Sequence, residues 1–218
     1  GWRGSTKTLE ITDLTMAFDD DILFMDLNLL IRHGERVGLI GPNGVGKSVL
    51  FHLILGELEP VAGEIVVGPS TRIGYYAQEH QTLALWLDRT PLDLVRDTVP
   101  RSEESAVALL LKFLFTYEQT RQPIRTMSGG ERSRLQLACL MLQQPNLLLF
   151  DEPTNNLDIP SMEVLEQALE DFEGALLVIS HDRYFLDQTV DRLVELDDGG
   201  LQSYLGGYTD YLLATGQL

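Results

Sequence analysis

Apolar and polar residues alternate in the first part of the chain, over residues 8–18 and 23–31. A period of two is typical of β-strands with one buried face. Largely apolar runs, which indicate parallel strands covered on both faces, occupy residues 36–40, 147–150 and 175–180. The pattern therefore predicts an α/β fold with an N-terminal antiparallel β subdomain and a mainly parallel core sheet.

The period becomes helical between residues 90 and 119. Pro91 suits the first turn of a helix over 91–98, and Ser102 is an N-cap candidate for a helix over 102–115. We therefore expect a small helical subdomain, about residues 82–144, inserted into one domain whose core and β subdomain take residues 6–78 and 145–218. Further helices are predicted after Gly46, after Ser128, over 161–172 and over 208–214.

A glycine-rich stretch, Gly41–Ser48, follows the apolar run 36–40 and has the spacing G-x-x-x-x-G-K-S of a phosphate-binding P-loop. Its glycines allow successive backbone N–H groups to turn inward around a polyphosphate, and the following helix adds the positive end of its dipole. Lys47 should reach the β- and γ-phosphates, and Ser48 should ligate Mg²⁺. The alternative, a glycine-rich turn that carries a lysine and a serine by chance, is disfavoured by the flanking strand and helix.

Two acids, Asp151 and Glu152, directly follow the apolar run 147–150. The carboxyl ends of parallel strands meet at the ligand-binding edge of an open α/β sheet. In a P-loop protein the aspartate would hold Mg²⁺ and the glutamate would polarise water, although such a pair can also be a helix-capping turn. His181 ends the next apolar run at the same edge, where a structural role is the alternative.

The segment Ser128-Gly-Gly-Glu131 has capping-box spacing, which by itself predicts a well-capped helix. Two glycines in the first turn cost roughly 1 kcal/mol each relative to alanine. We therefore expect an anion to approach bare backbone N–H groups there. Phe18 is either a core aromatic or a flat face for adenine, and Gln78 alone would be a solvated loop residue.

The acidic composition, 33 Asp and Glu against 16 Lys and Arg with a net charge of −17, makes broad nucleic-acid binding by this domain unfavourable. The single cysteine, Cys139, excludes an internal disulfide. No apolar run approaches 18 residues and no signal peptide opens the chain, so we expect a soluble, cytoplasmic protein. The chain does not begin with methionine, and we expect a trimmed tag or a piece of a longer polypeptide.

Together these stretches resemble the ATP-binding cassette (ABC) ATPase family, in the same order and over nearly the whole chain. The resemblance implies ATP hydrolysis with ATP and Mg²⁺ as cofactors. It implies catalytic roles for Lys47, Gln78, Glu152 and His181, and metal ligation by Ser48, Gln78 and Asp151. It implies nucleotide contacts at Phe18, Gly41, Asn43, Gly44, Val45, Gly46, Lys47, Ser48, Val49 and the D-loop residue Asp158, with the signature residues Ser128, Gly129 and Gly130 acting in trans on a second cassette.

Finer features resemble the ABC-F branch, whose two-cassette members act on the ribosome, and most resemble its second, C-terminal cassette. The signature ends in Glu131, and Asn155–Asp158 and Ser180–Asp187 resemble the branch's D-loop and switch region. The partner would be a second cassette, in the same chain or as a homodimer, and the ribosome through other regions, with a role in translation or antibiotic resistance. The alternatives are the motor subunit of a membrane transporter and a DNA-repair cassette.

Three positions depart from the family pattern. Met127 replaces leucine at similar volume, which should be nearly neutral. Val49 replaces a second hydroxyl, which should weaken a contact near the α-phosphate. Asn156 stands where the branch often has histidine.

Overall fold

The computed structural model describes residues 7–77 and 81–218, which divide into two compact units. The first unit comprises the chain up to Ile73 together with Asn146–Glu152 and Glu173–Leu218. The second comprises Gly74–Pro145 and Pro153–Phe172. The sequence placed residues 153–172 with the core, whereas in the structure this segment belongs to the second unit.

The described residues form nine strands and seven α-helices. The strands are β1 (Lys7–Phe18), β2 (Asp21–Arg32), β3 (Arg36–Ile40), β4 (Ala62–Val67), β5 (Ile73–Tyr76), β6 (Leu147–Asp151), β7 (Ala175–Ile179), β8 (Arg192–Asp197) and β9 (Gly200–Leu205). The helices are α1 (Lys47–Ile54), α2 (Pro91–Thr98), α3 (Glu103–Lys112), α4 (Gly129–Leu142), α5 (Ile159–Glu170), α6 (Arg183–Thr189) and α7 (Tyr208–Thr215). Short 3-10 turns cover Gln81–Trp86, Gln119–Arg121 and Ile124–Thr126.

The first unit contains two sheets. An antiparallel sheet has the order β2-β1-β4. In the second sheet the strands of this unit have the order β6-β7-β3-β8-β9, with parallel pairing from β6 to β8 and β9 antiparallel to β8. The predicted α/β class, with a mainly parallel core sheet and an N-terminal antiparallel sheet, is confirmed.

The parallel strands explain how distant parts of the sequence reach one place. Every residue of β6 and β7 is buried, and so are four of the five residues of β3, as expected for apolar strands covered on both faces. Because the three strands are parallel neighbours, their carboxyl ends lie at the same edge of the sheet. The P-loop follows β3, Glu152 follows β6, and His181 lies just beyond β7.

The second unit holds helices α2–α5, and α2, α3 and α4 pack around an apolar cluster that includes Val95, Leu110 and Ile124. Helix α2 has the predicted bounds, with Pro91 in the first turn and a capping box between Thr90 and Asp93. Helix α3 is shorter than predicted. It ends because Leu114 takes a left-handed conformation at φ 64°, and the Arg134 guanidinium binds the carbonyls of Phe113 and Leu114 at 3.0 and 2.9 Å.

Helix α6 was not predicted from the sequence. Its N-cap is Asp182, whose Oδ1 accepts the Phe185 N–H at 2.9 Å. An N-cap aspartate before Arg-Tyr-Phe-Leu was the available signal. Within residues 7–77 and 81–218, no helix combines the length and apolar character required to cross a membrane.

Candidate functional site

The N-terminus of helix α1 lacks a side-chain cap. Helices α2 to α6 each have an N-cap side chain that accepts a backbone N–H, but α1 has none, and its N-cap is Gly46. Gly44 and Gly46 have φ values of 79° and 108°, a backbone conformation that favours glycine. The first N–H groups of α1 therefore have no side-chain partner and suit a phosphate.

Neighbouring strands hold the P-loop closely from two sides. A Cβ on Gly46 would lie 2.8 Å from Leu23 Cδ2 of β2, and a Cβ on Gly41 would collide with the carbonyl oxygen of Leu196 on β8. At Gly44 a Cβ would meet nothing within 4 Å. Gly41 and Gly46 are thus required by packing, whereas Gly44 lies on the open side of the loop.

The Lys47 ammonium lies within the loop. It donates to the carbonyls of Gly41 and Pro42 at 2.6 and 2.8 Å, and the side chain is buried. Burial holds the pKa of Lys47 below its ordinary value, while the nearby carboxylates of Glu152 and Asp151 act in the opposite direction. The cation therefore lies where the two acidic residues also converge.

Ser48 and Asp151 bring two oxygen ligands together across 103 residues of sequence. The Ser48 hydroxyl donates to Asp151 Oδ2 at 2.8 Å. Burial raises the pKa of Asp151, and the bond from Ser48 and the charges of His52 and Lys47 oppose that shift. Hydroxyl and carboxylate oxygens suit Mg²⁺. Within the described ranges no group of three or more His, Cys, Asp and Glu side chains is placed to hold a metal ion.

Glu152 has an unusual backbone conformation, with φ at 48°. Such a conformation costs about 1–3 kcal/mol in a non-glycine residue and is often found at active sites. Its N–H donates to the Ile179 carbonyl at 2.9 Å, and its Oε2 accepts the His181 N–H at 3.3 Å. The ring atom Nε2 of His181 lies 3.1 Å from Glu152 Oε1. Burial raises the pKa of Glu152, and the nearby His181 acts in the opposite direction and lowers it.

Several predicted residues thus meet at one sheet edge, where Lys47, Ser48, Asp151, Glu152 and His181 are in mutual contact or electrostatic interaction. The predicted contact residues Asn43, Gly44, Val45 and Val49 belong to the same loop and the first turn of α1.

Phe18 ends β1 at the turn into β2 and is 48 % exposed, so it is not a core residue. An exposed aromatic face is what stacking on adenine requires. Gln78 lies outside the described residues.

The signature segment differs from its prediction in one respect. Ser128 and Glu131 form the expected capping box: Ser128 Oγ accepts the Glu131 N–H at 3.2 Å, and Glu131 Oε2 accepts the Ser128 N–H at 3.0 Å. A Cβ on Gly129 would meet nothing within 4 Å, but one on Gly130 would lie 2.8 Å from Asp158 Oδ2. Glycine at position 130 is therefore explained by packing within the unit, whereas nothing packs where a side chain at position 129 would lie.

Ser161 is a residue that the sequence did not single out. It is 2 % exposed, its hydroxyl donates to the Gly130 carbonyl at 3.2 Å, and its N–H donates to Asp158 Oδ1 at 2.9 Å. The Ser161 side chain and its N–H, both close to the Asp158 carboxylate, hold the pKa of Asp158 below its ordinary value. Asp158 and Ser161 thus join the D-loop to the signature helix, and their i, i+3 cap spacing was the available signal.

Comparison with known proteins agrees with this geometry. The sequence profile of the family described as "ABC transporter" matches residues 24–155, more than half of the chain. The chain belongs to the ABC transporter family.

The relatives of this cassette point to one branch of the family. This chain is 40% identical over 207 residues to ABC transporter F family member 2 of Arabidopsis thaliana, and the match covers 94% of the chain and 30% of that protein. It is 37% identical to the probable ATP-binding protein YbiT of Escherichia coli O157:H7, covering 96% of the chain and 40% of that protein. It is 40% identical to the ribosome protection protein VmlR of Bacillus subtilis, covering 91% of the chain and 36% of that protein. The predicted ABC-F type is confirmed, and the chain spans well under half the length of these relatives.

Solved structures support the fold. The cassette superposes with a TM-score of 0.81 on a structure described as the ATP binding subunit of an ABC transporter, at 24% identity over 96% of the chain and 93% of that chain. It also matches a bacterial Atm1-family ABC exporter with ATP bound, with a TM-score of 0.81 and 19% identity over 99% of the chain and 41% of that chain. At these identities the likeness concerns the fold of the cassette alone.

Proposed function

We propose that this cassette binds Mg²⁺-ATP at the carboxyl edge of its parallel sheet and hydrolyses it when paired with a second cassette. The observation that carries the proposal is the convergence of Lys47, the Ser48–Asp151 pair and the Glu152–His181 pair at that edge. A cation, a hydroxyl with a carboxylate, and a polarising acid are the groups that phosphoryl transfer to water requires.

Each residue then has a distinct role. The N–H groups at the start of α1 and the Lys47 ammonium bind phosphate oxygens, and the exposed face of Phe18 stacks on the base. Ser48 and Asp151 would hold Mg²⁺, with Gln78 as a further ligand, and the ion would supply positive charge to the phosphates. Glu152 accepts a proton from the attacking water. His181, whose side chain is 56% exposed, fixes Glu152 from one side and contacts the γ-phosphate from the other.

A second cassette is included in the proposal because the signature segment has an exposed backbone surface at Gly129. Gly129 is exposed and a Cβ there would meet nothing within 4 Å. We propose that Ser128 and Gly129 complete the site of a partner cassette, either another copy of this chain or a second cassette in a longer polypeptide.

Mixing two inactive variants tests this pairing. Ser128→Arg spoils the signature and Lys47→Ala spoils the P-loop, so each alone should hydrolyse ATP at background rate. A mixed pair contains one composite site in which both parts are intact. Equal mixing should restore about a quarter of the wild-type rate if copies pair symmetrically at random. The measurement is phosphate release as a function of total protein concentration.

The matched control replaces the Lys47→Ala partner with the Lys47→Ala, Ser128→Arg double variant, which leaves no composite site intact. This mixture should stay at background. If the first mixture also stays at background while the wild type hydrolyses ATP, pairing between copies of this chain is excluded.

For the whole protein we propose a role on the ribosome, in translation or antibiotic resistance. The support is the likeness to F family relatives, one of which is named a ribosome protection protein. The net charge of −17 disfavours broad contact between this cassette and RNA, so the ribosome contact is assigned to other regions of the polypeptide. A membrane-transporter motor is not favoured by these relatives, and the cytoplasmic location stays a prediction.

Cosedimentation with ribosomes tests this role. In the full-length protein, the Glu152→Gln variant should trap the ATP-bound form, and it should move with ribosomes in a sucrose gradient when ATP is present but not when nucleotide is omitted. The same variant with Lys47→Ala should stay at the top of the gradient under both conditions. Recovery of the protein in the membrane fraction, with no ATP-dependent ribosome peak, would favour the transporter alternative.

A further inference from the structure

The C-terminal helix α7 is hydrogen-bonded to helix α6 through one carboxylate. The Thr209 N–H donates to Asp187 Oδ1 at 2.8 Å, and the Thr209 hydroxyl donates to Asp187 Oδ2 at 2.7 Å. A Cβ on Gly207, just before α7, would lie 2.5 Å from Asp187 Oδ1 and 3.0 Å from the Asp187 Cα. The first turn of α7 therefore fits closely against the middle of α6, at a point where glycine is required.

A second contact joins the same two helices nearer to the site. The Arg183 guanidinium lies over the Tyr208 ring, with Cζ 5.1 Å from the ring centroid. This is a favourable cation–π distance. Arg183 is the first residue of α6 and stands two positions after His181, so this contact holds the end of α6 that follows the switch histidine.

The side of His181 that faces α7 is not filled by packing. A cleft of about 360 Å³ is lined there by residues of the P-loop start, the switch segment, strand β8 and α7, among them Gly41, His181, Arg183, Glu195, Tyr208 and Tyr211. The His181 side chain is 56% exposed. Because packing does not fix the ring on this side, the position of His181 depends on its contacts with Glu152 and on how the flanking elements are held, β7 on one side and α6 on the other.

We propose that Asp187 and Thr209, assisted by the Arg183–Tyr208 contact, position His181 against Glu152 and thereby set the rate of ATP hydrolysis. This inference rests on the proposed function. Asp187 and Thr209 bond to each other and lie on helices α6 and α7, outside the P-loop and the signature segment, so they are positioning residues. The C-terminal helix is in this way a control element for the hydrolytic step.

Separating binding from turnover tests the inference. Asp187→Leu and Thr209→Val each remove hydrogen bonds between α6 and α7. The single-turnover hydrolysis rate should fall on the order of tenfold, since a displacement of about 1 Å at a reacting group can cost up to about 100-fold. The Kd for ATP should stay within about twofold, because the P-loop does not change.

A conservative variant serves as the rescue. In Asp187→Asn the amide oxygen can accept the Thr209 N–H, and the amide nitrogen can donate to the Thr209 hydroxyl, which is both donor and acceptor. Both links are kept without the charge, so the rate should stay near the wild-type rate. The matched control is Tyr117→Leu, which removes a cation–π contact of 4.2 Å with Arg121 in the second unit and should leave the rate unchanged.

The ¹⁵N signals of the histidine ring supply a readout that does not require turnover. The His181 ring signals, assigned with His181→Ala, should move in Asp187→Leu and Thr209→Val and stay in place in Asp187→Asn. Wild-type rates and unmoved signals in both Asp187→Leu and Thr209→Val would overturn the inference, and so would equal losses in Asp187→Asn and Asp187→Leu. If the wild type binds ATP but never hydrolyses it, the proposed function fails, and the ring signals still decide whether the helix contacts position His181.

Discussion

Replacing Glu152 by glutamine should reduce ATP hydrolysis by about 10²- to 10⁴-fold, the range typical of a lost general base. Glutamine keeps the size of the side chain and an oxygen that can accept the His181 N–H, which Glu152 Oε2 accepts at 3.3 Å. What it loses is the ability to take a proton from water. ATP binding should persist, because Lys47 and the start of α1 do not change. The measurement is the steady-state rate of phosphate release at saturating Mg²⁺-ATP.

Thermal unfolding separates lost chemistry from lost structure in this variant. Burial raises the pKa of Glu152, which means that the fold disfavours its charge. A neutral glutamine should therefore leave the melting temperature unchanged or raise it. Glu64→Gln, an exposed substitution on β4, is the matched control and should hydrolyse ATP normally. A Glu152→Gln protein that turns over at the wild-type rate would remove Glu152 from the mechanism.

The parts of the fold that the sequence predicted well are those specified by local pattern. The apolar runs correctly predicted the buried strands β3, β6 and β7. Pro91 in the first turn correctly predicted where α2 begins. Long-range contacts decided what the pattern missed. Helix α3 ends early because Arg134, 20 residues further along the chain, binds the carbonyl of Leu114, and no local signal at Leu114 indicates that bond.

In the candidate site, too, local sequence pattern predicted some features and long-range packing decided the others. The P-loop spacing and the acids after β6 predicted correctly that these residues lie together, because the edge of a parallel sheet gathers strand ends wherever they lie in the sequence. The contact of Gly130 with Asp158 and Ser161 was not predictable, because it depends on how α4 and α5 pack within one unit. Both signature glycines were expected to admit an anion, and packing accounts for glycine at position 130 but not at position 129.

Alanine at the two signature glycines should therefore have opposite effects on stability. Gly129→Ala adds a methyl group in open space at the start of α4, so it should stabilise the fold by up to about 1 kcal/mol. Gly130→Ala places a Cβ 2.8 Å from Asp158 Oδ2 and 3.0 Å from Ser161 Oγ, at a buried position. Overpacking of this kind should destabilise the fold by about 1–3 kcal/mol. Urea denaturation of both variants measures the difference.

Hydrolysis should fall in both variants, for different reasons. In Gly129→Ala the added methyl group keeps the partner's phosphate from the backbone, so the rate should drop roughly 10- to 100-fold in a protein that is more stable. In Gly130→Ala the loss should accompany a displaced D-loop. The double variant Gly130→Ala, Ser161→Ala should be less destabilised than the sum of its single variants, because the crowding hydroxyl is gone. Equal stability changes at the two glycines would contradict the packing of Gly130 against Asp158 and Ser161, and with it the assignment of the nucleotide-facing role to Gly129.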